Sequence, residues 1–417
     1  EARVAPSELC MMAREPLLGD AEDSRPELLS AFAPALVNTL KSILGTGLLA
    51  IPHEFARVGV PAGLVLTAVV GTWSCYTMHL IAHCTLLTTG NASPGSAAVT
   101  TFGELVALAL GRRTGAVLGT SNLVLHQLLC CAAYMVFVGE TVEQVFGMPA
   151  TTVILIATPP FAALCTLRDM RLLGPTSVSG TAVLALVLLL VLYDCYHGDE
   201  HGPRLRTRAE TAPSALASFV AVSLFTFAGH TEVVSVVRSM GEEAPRYRAI
   251  ASVVLLVCVP LIMGFGAAAA SCIGRRTPSN VLLGLQSELG TWAKLFMSLA
   301  IFFSLPVKMF PAVQALEPVL VPSGAPCLRA AMCAGLALCS SALALLLPDF
   351  GFLVAIVGAL CMGLIAFVLP PAIYLALEPK QGLGRATLVA HGALLALGLL
   401  VTVGATGKVL AAKLQAS

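Results

Sequence analysis

Apolar residues recur along the chain in runs of about twenty, the length at which an α-helix crosses the hydrocarbon core of a bilayer. The runs lie near 34–56, 61–85, 117–146, 149–167, 172–193, 214–237, 247–272, 289–316, 327–347, 351–377 and 386–408, and they predict eleven transmembrane helices. The segment TFGELVALALGRR, 101–113, is too short and polar to join them and reads as an amphipathic helix on one membrane face. Ahead of the first run, residues 1–30 are polar, with Pro6, Pro16, Pro26 and seven acidic residues. They lack the basic-then-apolar order of a signal peptide and predict a disordered cytosolic tail, with 31–417 as the membrane domain. Leu-Leu pairs at 17–18 and 28–29 have Ala13 and Ser24 four positions upstream, where a sorting signal wants an acid, so they read as plain tail.

Two runs are interrupted where helix should be continuous. In SILGTGLLAIP, 42–52, Gly45 and Gly47 flank Thr46 and Pro52 follows; in SLFTFAGHTEVVSVV of the sixth run, Gly229 and His230 break the apolar pattern. Glycine and proline are the poorest formers of a helix interior, and in a bilayer such breaks are tolerated where the freed backbone lines a cavity. The breaks at 46 and 229 stand 183 residues apart, one opening runs one to five and the other opening runs six to ten. Matching interruptions in two halves point to a five-plus-five inverted repeat, about 34–195 and 214–378, with an extra helix at 386–408. Half-helix N-termini there present positive dipole ends to an anionic group such as an amino acid carboxylate, and freed carbonyls suit an ammonium.

Composition agrees with the membrane reading: 57% of residues are hydrophobic, 11% are charged and mean hydropathy is +0.88. A net charge of +1 with no basic run gives nucleic-acid binding no support. The 13 cysteines form no CxxC pair or Cys/His cluster, so neither a metal nor another bound cofactor is expected. No HExxH, no GxSxG and no carboxylate pair at helical spacing within a run supports an enzyme.

With the N-terminus cytosolic, thirteen Lys and Arg fall inside and eight outside, which favours that orientation. The sequon Asn91-Ala92-Ser93 then faces the cytosol and is expected to be unused. Cys195 and Cys272 fall together on the other side, where spacing leaves a disulfide between them open.

The remaining three basic residues, Lys41, Lys294 and Lys308, lie within runs, where a charge is costly and defaults to a functional hypothesis. Lys294 is near a run's end and reads as snorkelling to the interface. Lys41 stands one turn before the first break, and Lys308 lies between Pro306 and Pro311; both are candidates for ion coupling. His230 at the second break and Glu232 two residues on are further candidates, since a buried carboxylate or imidazole can exchange a proton in the range a carrier uses. His126 and Gln127 read as packing residues of the third run, and Glu140 and Glu143 as reaching water at its outer end.

LVNTLKSILGTGLLAIPHEFARVGV resembles the first-span signature of the amino acid/auxin permease family, its proton-coupled and vacuolar amino acid transporters in particular. YMVFVGETVEQVF resembles that family's third span, FTFAGHTEVV its sixth and FLVAIVGALCMGLIAFVLPPAIYL its tenth, in family order over about 34–409. The resemblance implies an eleven-span, LeuT-like carrier with discontinuous first and sixth helices that moves neutral amino acids by alternating access. Position by position, Gly45, Thr46 and Gly47 match the substrate-binding break of the first span, and Phe227, Ala228, Gly229 and His230 that of the sixth. Phe225, Phe227 and Tyr134 are the candidates for side-chain selectivity. Lys41 matches a lysine of the proton-coupled group where sodium-coupled relatives have Asn. Asn38 and Ala228 depart from that group's His and Glu, and Gly-His-Thr at 229–231 looks like the vacuolar branch.

The expectation is therefore a monomeric secondary transporter of small neutral amino acids, embedded in the lipid bilayer of a lysosome, vacuole or plasma membrane. A proton is the expected coupling ion. Sodium coupling and a transporter-like amino acid sensor are the alternatives.

Overall fold

The computed structural model describes residues 24–90, 99–167, 174–197, 212–322, 324–378 and 384–416. The Leu-Leu pair at 17–18 and the sequon at 91–93 lie outside these residues. Helix α1, Ser24–Ile43, takes in the last seven residues of the segment expected to be a disordered tail, and Pro34 is accommodated within it. The chain continues as α2 (Gly47–Val58), α3 (Val60–Gly90) and the short α4 (Phe102–Leu110). Then come α5 (Arg112–Phe146), α6 (Ala150–Cys165) and α7 (Gly174–His197). The second half holds α8 (Pro213–Thr226), α9 (Val233–Ser239), α10 (Tyr247–Ile273) and α11 (Glu288–Leu320). It ends with α12 (Pro326–Leu346), α13 (Phe350–Leu377) and α14 (Arg385–Ala416).

Eight of these helices are long and apolar enough to cross a membrane, nine when the bent pair α1 and α2 counts as one span. The predicted spans 149–167 and 214–237 carry shorter apolar helices, α6 and α8. The amphipathic segment folds as expected: Thr101 and Glu104 form a reciprocal capping box at the start of α4, and Phe102, Leu105 and Val106 are buried beneath it.

Packing separates centre from periphery. In α5 and α13 the most apolar stretch is 83% buried, against 22% in α14, whose outer side is left to lipid. Glycine permits the tightest crossings. A side chain at Gly358 of α13 would run into the Ala221 carbonyl of α8, and one at Gly47 would come within 2.8 Å of the Thr226 backbone. The last helix is tied to α3 by a polar contact at membrane depth: His391 donates from Nδ1 to the Thr387 carbonyl and accepts from the Tyr76 hydroxyl at 2.7 Å.

Candidate functional site

Both interruptions read from the sequence are real breaks. The first span bends by 46° between Phe32–Ile43 and Gly47–Val58. The α1 ladder closes with Leu44 N–H on the Leu40 carbonyl, and α2 restarts through tight turns from Leu48 to Gly45 and from Leu49 to Thr46. In the sixth span α8 ends at Thr226, Gly229 N–H turns back onto the Phe227 carbonyl at 2.8 Å, and α9 begins at Val233. The two broken helices cross each other: Gly47 lies against Thr226 and Phe225, and Gly229 against Ser42.

Beside this crossing lies a cavity of about 460 Å³. Its walls are the last turns of α1, the start of α7, α9 and the middle of α11, with α5 closing it from the side. Of the residues proposed from the sequence, Lys41, Gly45, Thr46, Tyr134, Glu232 and Lys308 line it. The Tyr134 hydroxyl stands next to the first break, 3.8 Å from where a β-carbon on Gly45 would be. Lys308 has Tyr134 and Glu232 as its electrostatic neighbours, together with the thiols of Cys130 and Cys131. Among the described residues, Glu232 Oε2 is buried without a hydrogen-bond partner. The cavity thus collects two ammonium groups, one carboxylate and a phenol from four different helices around an unwound backbone.

Gly47, Phe225, Phe227, Ala228, Gly229 and His230 are not in its wall. Phe227 is fully buried with its ring toward Gly71 of α3. His230 is turned the same way, its Nε2 3.0 Å from Thr77 Oγ1 of α3. The second break therefore faces the α3 scaffold, and only Glu232, just beyond it, reaches the cavity.

Several lining groups were not singled out from the sequence. Asn38 joins Lys41 on one face of α1, Ser235 joins Ser239 on α9, and Ser304 joins Lys308 on α11. Spacings of three or four mark a shared helix face and were readable in the sequence. Gln127, read as a packing residue, lines the cavity two turns before Tyr134, 1% exposed and with Oε1 unpartnered. His126 does pack, against Cys130.

Beyond the breaks, on the side of the helices away from the start of α1, hydrogen bonds tie loop and helix ends together. Lys294 does not snorkel: it is buried, and Nζ donates to the Leu285 carbonyl at 2.7 Å, pinning the turn at 281–285. Gln144 donates to the Leu283 carbonyl of the same turn, and His53 Nδ1 to Thr277. Cys195 and Cys272 meet at this end as free thiols, the Cys272 thiol donating to the Cys195 carbonyl at 2.9 Å.

An all-helical membrane bundle with two crossing broken helices beside a polar cavity is a LeuT-like fold. The same fold is seen in the inward-facing conformation of Mhp1, with a TM-score of 0.60 at 14% identity over 91% of this chain and 88% of that one. Residues 30–410 match the family described as transmembrane amino acid transporter protein, and the chain belongs to it. It is therefore an integral membrane amino acid transporter rather than an enzyme. It is 25% identical over 373 residues to amino acid transporter AVT3A of Arabidopsis thaliana, covering 86% of this chain and 83% of the relative. Vacuolar amino acid transporter 5 of Schizosaccharomyces pombe is 24% identical over 373 residues, covering 83% and 84%.

Proposed function

We propose that the protein carries small neutral amino acids by alternating access in symport with protons, across the membrane of an acidic compartment such as a vacuole or lysosome, with its N-terminus in the cytosol. The observation that carries this reading is the cavity in which Gly45 and Thr46 of the first break meet Lys41, Glu232 and Lys308. The N–H groups that open α2 suit the substrate carboxylate, and the carbonyls left over at the end of α1 suit its ammonium. A zwitterion held in this way needs no net protein charge. The ionisable side chains are then available for coupling, with Glu232 taking the proton and Lys308 and Lys41 as fixed cations. His230 acts by holding the second break to Thr77.

Proton is favoured over sodium because two ammonium groups already occupy the cavity wall, and a sodium ion there would be repelled by both. Relatives named as vacuolar transporters favour the acidic compartment. The test is flux of a panel of amino acids into proteoliposomes with pH and sodium gradients imposed separately. Uptake that follows the pH gradient without sodium is expected. Uptake that follows sodium and ignores pH selects the alternative, and binding without flux would make the protein a sensor.

A further inference from the structure

Gln127 of α5 lines the cavity, is 1% exposed and has its Oε1 buried without a hydrogen-bond partner. It stands seven residues before Tyr134, two turns or about 10 Å along the same face of the helix. Between the two, the Cys131 thiol donates to the Leu305 carbonyl at 3.8 Å and ties α5 to α11. Ser304, the residue before Leu305, therefore lies level with the stretch between Gln127 and Tyr134, and it too lines the cavity. An amide oxygen that is cut off from water and bonded to no donor is costly, and folded interiors avoid it. The side chains beside Gln127 on α5 do not relieve it: His126 turns to Cys130, and Cys131 to Leu305.

Nearby hydroxyls of the wall have their protons committed. Ser304 Oγ donates to the Ala300 carbonyl, Ser42 Oγ to that of Thr39 and Ser239 Oγ to that of Val236, each at 2.8 Å and each within its own helical segment. A serine that donates to its own backbone keeps only lone pairs for a ligand. Together with the Gln127 oxygen, these hydroxyls make the uncharged wall a set of acceptors that suits N–H groups. Lys308, one turn from Ser304 on the same face of α11, adds N–H donors of its own. A side-chain carboxamide matches both, with two N–H groups for the acceptors and a carbonyl for the ammonium. An aliphatic side chain offers no donor and a carboxylate offers none either. A side-chain ammonium or guanidinium offers donors but stands beside the like charge of Lys308.

We propose that Gln127 is a specificity-determining residue of the carrier and that the side chain it selects is a carboxamide, as in asparagine or glutamine. The main-chain groups of the substrate sit at the first break and its side chain extends toward α5. There its N–H groups donate to Gln127 Oε1 and Ser304 Oγ, and its carbonyl accepts from Lys308 Nζ. The inference rests on the reading that a neutral amino acid is held at Gly45 and Thr46, and it narrows neutral to one side-chain chemistry.

The experiment measures equilibrium binding of labelled glutamine to the purified protein, competed by methionine, glutamate and lysine, in the native protein, Q127M, Q127N and S304A. Methionine matches glutamine in length and lacks its donors. The native protein is expected to bind glutamine about tenfold or more tightly than methionine, because a site with unpaired polar groups rejects the analogue that cannot pair them. Q127M is expected to erase most of that preference, with the loss falling on glutamine rather than on methionine. Q127N keeps the amide on a shorter arm and is expected to retain part of the preference, while S304A loses a smaller share than Q127M. In proteoliposome uptake of glutamine the same variants are expected to change KM more than the maximal rate. The proposal is overturned if glutamine and methionine compete equally in the native protein, if glutamate or lysine displaces the label better than glutamine, or if Q127M weakens glutamine and methionine alike. Should Q127M fail to fold, native preference in both Q127N and S304A overturns it as well. Binding needs no gradient, so a native protein that prefers glutamine but does not move it on a pH gradient defeats the symport reading and leaves this one standing. Binding of no amino acid defeats both.

Discussion

The two broken spans carry similar glycine-centred sequences, yet their breaks face opposite ways. The first puts Gly45 and Thr46 into the cavity wall with Lys41 one turn before them. The second turns Phe227 and His230 onto α3 and brings only Glu232 to the cavity. A glycine therefore marks where a helix can stop, and the neighbouring helix decides what the freed segment faces. At the second break the decision is made by Thr77, which offers His230 a hydrogen bond inside the bundle, and by Gly71, which leaves room for the Phe227 ring.

The largest test of this division is at the two charges. Glu232 and Lys308 are electrostatic neighbours in the cavity wall, so removing either changes the charge that the other faces. E232Q and K308M are each expected to reduce proton-driven uptake by about 100-fold or more, with the double variant more stable than K308M alone in thermal unfolding. Equal activity of E232Q and the native protein would remove Glu232 from the coupling machinery.

A smaller effect separates two neighbouring glycines of the first break. Gly47→Ala must displace the Thr226 backbone and is expected to cost about 1–3 kcal/mol of stability. Gly45→Ala meets only the Tyr134 hydroxyl at 3.8 Å, so it is expected to fold normally and raise KM instead. Thermal unfolding beside uptake kinetics distinguishes them.

The smallest effect is expected at His230. H230A deletes one buried hydrogen bond, about 1 kcal/mol, and is expected to change KM by less than about threefold. A double-mutant cycle with T77V is expected to show most of that loss to be shared. An H230A variant that loses its pH response would place the imidazole in the coupling machinery and erase the contrast between the breaks.

Much of the architecture was legible because a bilayer imposes a length and an apolar composition on every span. The breaks were legible because glycine and proline are costly in a helix interior. The helix that begins at Ser24 was missed because the polar, proline-containing segment from which it starts has no apolar period. Within the site, Lys41, Lys308 and Glu232 stood out as charges at membrane depth. Gln127 did not, since a neutral amide on an otherwise apolar helix looks the same whether it packs or faces a cavity. Lys294 was misread for a related reason: nearness to a helix end says nothing about whether a folded-back turn covers it, and here the Leu285 carbonyl does.

The contact between Tyr76 and His391 joins the final helix to the helix that holds the second break. Tyr76 is followed on α3 by Thr77, the residue that holds His230 at the second break. One rigid helix thus touches the last span on one side and the break on the other. Among the described spans α14 is the least buried, and two hydrogen bonds, through Tyr76 and Thr77, separate it from the unwound segment. The eleventh predicted span thus adjoins the second break both through α3 and by packing directly on α8.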